Sequence, residues 1–121
     1  MWTYSQATGK VSRADGAWII TGYSGSGAGK NNPAAQQMRN IGPIPRGRYT
    51  IGKGYTHKSK GPVCMRLTPD ATNEMFGRRG FLIHGDSIHE PGTASNGCIV
   101  VGRMARLEIA TSGDRELEVV A

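Results

Sequence analysis

Phe81 to Val101 reads FLIHGDSIHEPGTASNGCIVV, and this stretch decides how the chain folds. Two short apolar runs, ending at His84 and beginning at Cys98, flank a polar loop rich in Gly, Pro, Ser and Thr. Runs of this length suit buried strands and are too short for helices, although a turn is the other option for the second run. Two neighbouring strands joined by such a loop bring His84 and Cys98 together in space.

A thiol beside an imidazole is the pairing that acyl transfer requires. A free Cys has a pKa of about 8.5, so little of it is thiolate at neutral pH. A nearby His takes the proton and makes Cys98 a strong nucleophile. Gly97 lets the backbone bend so that successive N–H groups face one space, where they can hold an oxyanion. Ser95 is a candidate for bracing the loop or orienting His84. His89 is the rival base and reads as a loop residue, and His57 reads as surface. Cys64 reads as structural. A Cys64–Cys98 disulfide is the competing fate of the thiol and would disable it.

Outward from this stretch the chain reads as mainly β. Trp2, Tyr4 and Gln6 alternate with Thr3, Ser5 and Ala7, turn at Thr8–Lys10, and return through Ala17–Ile20, a hairpin over residues 1–23. Arg48–Gly52, Val63–Thr68 and Arg115–Val120 alternate as strands. In Val63–Thr68 the residues Val63, Met65 and Leu67 share one face, with Cys64 on the other. Residues 53–61 read as a basic loop. Two short helices are expected, one capped by Asn32 and opened by Pro33, the other over 102–111 and stopped at Gly113. The whole of residues 1–121 forms one domain, a sandwich or barrel-like sheet.

Composition narrows the function. The 121 residues include 18 Gly and 6 Pro, which favours many tight turns. The net charge of +6 attracts carboxylate-rich polymers and other polyanions. Helix-turn-helix, zinc-finger and aromatic-rich basic patterns are missing, which argues against nucleic acid. No run reaches the ~20 apolar residues that a membrane-spanning helix needs. The opening Met1–Ser5 has no basic and then apolar stretch, so no ordinary secretory signal is expected. Gly29-Lys30 sits in a glycine-rich loop, but Ser24 and Asn31 stand where a phosphate loop needs Gly and Ser or Thr. The three His and the carboxylates have no metal-ligand spacing, so neither metal nor cofactor is expected.

His84-Gly85 followed by Ser95-Asn96-Gly97-Cys98 resembles the signature of the L,D-transpeptidase catalytic domain. Gly22-Tyr23-Ser24-Gly25, Asn31-Asn32-Pro33-Ala34 and Gly42-Pro43-Ile44-Pro45-Arg46-Gly47-Arg48-Tyr49 extend the likeness. Together they resemble a small branch that includes type VI secretion effectors attacking peptidoglycan. Two positions depart from the signature. Asn96 replaces its second His, and Val100 replaces the Arg two positions after the Cys. Arg103, Arg78, Arg79 and Arg46 are the candidates to take over from that Arg.

The resemblance implies an L,D-transpeptidase-like fold and an enzyme that cleaves the diaminopimelate–D-Ala bond of tetrapeptide stems through a thioester. Its catalytic residues would be Cys98, His84, Ser95 and Gly97. Asn96, Tyr23, Asn31, Asn32 and Arg103 are the candidates for holding substrate. It further implies an antibacterial toxin that leaves its producer by a contact-dependent route and acts in the periplasm of target bacteria. A cognate immunity protein and a secretion-machinery carrier are the implied partners. The alternatives are a non-catalytic wall-binding module with this fold, or a Cys/His amidase or peptidase on another wall bond.

Overall fold

The computed structural model describes residues 1–13, 16 and 18–121. Ten strands form one continuous sheet, curled into a nearly closed β-barrel. In chain order they are β1 (Trp2–Ser5), β2 (Lys10–Arg13), β3 (Ile19–Thr21), β4 (Tyr23–Ser24), β5 (Gly47–Ile51), β6 (Tyr55–His57), β7 (Gly61–Pro69), β8 (Leu82–His84), β9 (Ile99–Val100) and β10 (Glu116–Val120). The hydrogen-bonded path is β3-β2-β1-β10-β5-β7-β8-β9-β4, with β6 added beside β7. Its two ends, β3 and β4, are consecutive in the chain with only Gly22 between them. The sheet therefore meets itself through the covalent backbone.

Alternation builds the barrel interior. Trp2 and Tyr4 of β1 are fully buried. Their neighbours on the interior include Met65 and Leu67 of β7, Ile83 of β8, and Leu117 and Val119 of β10. The terminal strands close this core, β1 running parallel to β10 with Trp2 opposite Leu117. One α-helix, α1 (Arg103–Thr111), lays Ala105 and Ile109 against the same cluster. Gln6 continues the inward face of β1 as a buried polar residue. It is tolerated because its amide donates to the Ile44 carbonyl at 2.9 Å and to Gln36 Oε1, and accepts from Arg46.

Three expectations change. The hairpin over 1–23 is a three-stranded meander, because Lys10–Arg13 pairs with both β1 and β3. Of its expected return strand, Trp18 lies just before β3 and Ala17 lies outside the described residues. The basic loop at 53–61 contains β6, which pairs with β7. The first helix is only a 3-10 turn, Pro33–Ala35, although Asn32 caps it as expected by accepting from the Ala34 N–H. An α-helix would continue through the Gln36 carbonyl, and that oxygen instead accepts from Arg78.

The register makes a direct prediction. Met65 is fully buried and Thr68 is exposed. Met65→Ala should cost about 2–5 kcal/mol in urea unfolding, and Thr68→Ala under about 0.5. A one-residue slip of β7 would reverse the order.

Candidate active site

Strand pairing sets the positions of the two reactive groups. β8 runs parallel to β9, with Ile83 opposite Ile99. It runs antiparallel to β7, with Met65 opposite Ile83 and Arg66 opposite Leu82. Met65, Ile83 and Ile99 point into the core. Their sequence neighbours therefore point outward. One step along the same registers, Cys98 comes beside Leu82, and Cys64 comes across from His84. Cys98 and His84 thus lie on one outer face, and both line one cavity of about 240 Å³ with Lys60, Arg79, Gly80 and Asn96.

The His84 ring is buried and its tautomer is fixed. Nδ1 lies 2.7 Å from the Gly85 carbonyl, which can only accept, so Nδ1 carries the proton. Nε2 is left as a bare lone pair, buried and without a hydrogen-bond partner. Burial pushes the His84 pKa down, and the nearby charges of Lys60 and Arg106 push the same way, while the Gly85 bond partly opposes them. Burial pushes the Cys98 thiol up, against the Leu82 N–H and Lys60, which pull it down. The Leu82 N–H donates to Cys98 Sγ at 3.3 Å. The resting pair is therefore a neutral imidazole and a neutral thiol.

Ser95 is the knot of the loop before Cys98. Its buried hydroxyl donates to the Cys98 carbonyl at 2.6 Å. It accepts from the N–H groups of Gly25 at 2.9 Å and Gly97 at 3.1 Å. Ser95 braces the loop, and no bond joins it to His84. The Gly97 N–H is engaged by that hydroxyl, so it can serve an oxyanion only if the bond yields. Gly97 itself is required at its position. Its φ is +141°, and a Cβ there would sit 2.5 Å from the Arg78 guanidinium.

Two buried arginines escaped the sequence reading as structural elements. Arg78 donates to the carbonyls of Gln36, Pro43, Gly42 and Asn96 and stacks on the Phe81 ring. It ties the Gly42–Pro45 segment to the loop that carries Cys98. Arg106 donates to Val101, Pro62 and Val63 and passes so close to Gly85 that a Cβ there would meet it at 2.7 Å. Gly85 thus makes room for Arg106. The Gly85-Asp86 and Gly97-Cys98 neighbourhoods gave no hint of this, because an Arg reads as surface by default.

The expected substrate-holding residues divide. Asn96 is exposed at the cavity rim. Tyr23 donates to Asp86 at 2.6 Å and accepts from the Ala94 N–H. Burial, followed by the Asp86 bond, pushes its hydroxyl up to about 12. It fastens the 86–94 loop. Asp86 also accepts from the N–H groups of Ser87 and Gly92, so it orients that loop and not the imidazole. Asn31 accepts from the Ser24 N–H, and Asn32 caps the 3-10 turn, so both have backbone duties. Arg103 is exposed at the start of α1 and lines no cavity with Cys98, where Arg79 stands instead. His89 is exposed and lines a second, adjoining cavity of about 490 Å³ that shares His84 and Lys60. His57 is half-buried, and its Nδ1 accepts from the N–H groups of Ser59 and Lys60.

Cys64 and Cys98 are both free. β8 lies between their strands, a separation of about 9–10 Å, and a disulfide needs Cα atoms within about 7 Å. The competing disulfide is therefore excluded by the sheet itself. Among the described residues, no three His, Cys, Asp or Glu side chains cluster as a metal site would need. No helix of the described residues is long and apolar enough to cross a membrane.

A small, nearly closed β-barrel with a thiol and an imidazole on one outer face defines the class of this protein. The Tlde1 domain family model matches residues 19–120, and the chain belongs to that family, one of type VI secretion effectors. Contact-dependent secretion and a cognate immunity protein go with that membership. No curated protein matches the chain.

The resting charge state can be read directly. Alkylation of Cys98 by iodoacetamide should accelerate with pH through and beyond the ordinary thiol range near pH ~8.5. A plateau of reactivity at pH ~5–7 would instead reveal a resting thiolate–imidazolium pair. Separately, Arg78→Lys should lower stability by about 2–4 kcal/mol in urea, because an ammonium cannot span four carbonyls as the guanidinium fork does.

Proposed function

We propose that this protein is a cysteine L,D-transpeptidase/L,D-carboxypeptidase-like enzyme acting on the diaminopimelate–D-Ala bond of peptidoglycan tetrapeptide stems. The observation that carries the reading is the unpartnered, lone-pair-bearing His84 Nε2 in the cavity that also holds the Cys98 thiol. The resemblance of the surrounding motifs supplies the substrate, and the type VI effector family supplies the setting.

On this reading the chemistry runs in two halves. As the stem carbonyl enters, Cys98 Sγ attacks it and passes its proton to His84 Nε2. The Leu82 N–H already touches Sγ and steadies the negative charge as it develops. Collapse of the tetrahedral intermediate breaks the C–N bond, and the Nε2 proton leaves on the D-Ala amine. A thioester remains on Cys98. Water, a free D-amino acid or the amine of a second stem then attacks it, with Nε2 accepting the proton of the incoming nucleophile. The products are a trimmed, exchanged or cross-linked stem, and the thiol is regenerated.

Arg79 takes the place proposed for the missing motif Arg. It lines the Cys98 cavity and also a smaller adjoining one with Arg39, Asn40 and Asn96. That wing suits the carboxylates of the acyl donor. Action in the periplasm of a target cell, restrained in the producer by the immunity protein, completes the proposal.

Mass spectrometry of tetrapeptide muropeptides tests it. Wild-type protein should remove or exchange the terminal D-Ala, and Cys98→Ala and His84→Ala should each lose at least about 10³-fold in rate. Sacculus binding that survives Cys98→Ala, with no product from either form, would favour a wall-binding module. Cleavage at a different bond would favour an amidase or another peptidase.

A further inference from the structure

His84 divides the site into two wings. The Cys98 cavity extends towards Arg79 and Arg39 on one side. On the other, the larger cavity runs past His84 to Ser59, Lys60, Asp86, Ile88 and His89. His84 and Lys60 line both the Cys98 cavity and this larger one. Resting on the reading above, the group that receives a proton from Nε2 must lie on the His84 side of the thiol. That group is the amine of the leaving residue, and by reversal the amine of any incoming acceptor.

We propose that Lys60 forms the carboxylate subsite of this wing, binding the free α-carboxylate of the leaving D-amino acid and of the acceptor that replaces it. Three observations converge on it. Among the described residues, no carboxylate forms an ion pair with Lys60. The one acid lining the same wing, Asp86, is engaged by Tyr23 and by the N–H groups of Ser87 and Gly92. The turn that carries Lys60 is fixed, because the Ser59 and Lys60 N–H groups both donate to His57 Nδ1, at 3.0 and 3.2 Å. Its charge also reaches both reactive groups, lowering the pKa of His84 and of Cys98. The wing offers a lysine on a fixed turn, lining the same cavity as the general base. That is the arrangement an α-amino carboxylate needs, with its amine at Nε2 and its carboxylate a few atoms away.

The subsite selects for a chain end. A residue whose carboxyl continues into a peptide bond has no charge for Lys60, so the wing favours removal or replacement of the last residue of a stem. It does not read the side chain, since the wing is an open cavity of about 490 Å³ edged by Ile88 and Ala94. Exchange should therefore accept D-amino acids of varied side chain.

Two measurements test the proposal together. The first compares kcat/KM for a tetrapeptide with a free terminal carboxylate and for its carboxamide. Wild type should prefer the carboxylate, Lys60→Met should lose about tenfold of that preference, and Lys60→Arg should keep most of it. The second needs no turnover. Cys98 is alkylated at alkaline pH with iodoacetate and with iodoacetamide, and the adduct is assigned by peptide mass spectrometry. The iodoacetate-to-iodoacetamide rate ratio should fall severalfold in Lys60→Met, but not in Lys58→Met, which removes an equal charge outside both cavities. A ratio and a substrate preference that ignore Lys60 would overturn the proposal while leaving the enzyme reading standing. A Lys60-dependent ratio in a protein that processes neither tetrapeptide would sink the peptidoglycan reading and retain the anion subsite.

Discussion

The parallel pairing of β8 with β9 is the constraint on which the site depends. Parallel neighbours place paired side chains on the same face. With Ile83 opposite Ile99 buried in the core, the residues flanking them must face out together. Cys98 then lies beside Leu82 and His84 beside Val100, two residues apart along the pair, and both reach one cavity. The long loop from Gly85 to Gly97 is the crossing that a parallel pair demands. Slipping either strand by one residue would bury the thiol or the imidazole in the barrel and expose an isoleucine, so core packing enforces the site's register.

The loop would be costly to hold by apolar contacts, since it has almost none. Polar groups hold it instead. Ser95 gathers the Gly25 and Gly97 amides and the Cys98 carbonyl around one hydroxyl. Tyr23 and Asp86 fasten its middle. Arg78 and Arg106 each satisfy several backbone carbonyls that lie away from water. A buried guanidinium without an acid partner is stable here because its donors find oxygens in the required fork. The glycines at 85 and 97 are the steric counterpart, leaving room for those two side chains.

How much of this could be read from the sequence follows from the same physics. The apolar runs at Phe81–His84 and Cys98–Val101 announce strands, and the β class and α1 follow from patterning. The parallel sense of the pair is not written in either run, because both senses bury the same residues. β2 is not legible because Lys10–Arg13 carries a single apolar residue, Val11, and β6 is not because a basic segment resembles a solvated loop. The arginine network is hidden for a related reason. Burial of Arg78 depends on carbonyls 18 to 42 positions away in the chain, a distance no local pattern spans. Tyr23, Asn31 and Asn32 are polar residues near a site, and polarity alone does not separate a groove wall from a backbone clamp.

The neutral resting state has a consequence for how the site is controlled. An ion pair would hold a thiolate open to any electrophile, with burial opposing it from both partners. Here burial keeps the proton on sulfur and the imidazole neutral, while the Gly85 carbonyl leaves the ring's lone pair on Nε2. The thiol and the imidazole are thus both neutral at rest, and under the proposed function the thiolate forms only as a carbonyl arrives to consume it. On the proposed reading, the cations at the rim then act in sequence on an anionic substrate. They draw it in, fix its ends on either side of Cys98, and favour negative charge at the sulfur during attack. The same positive potential disfavours protonated His84, which in the proposed mechanism would return the proton readily to the departing amine. On the proposed reading, one cationic surface serves substrate capture, thiol attack and leaving-group release.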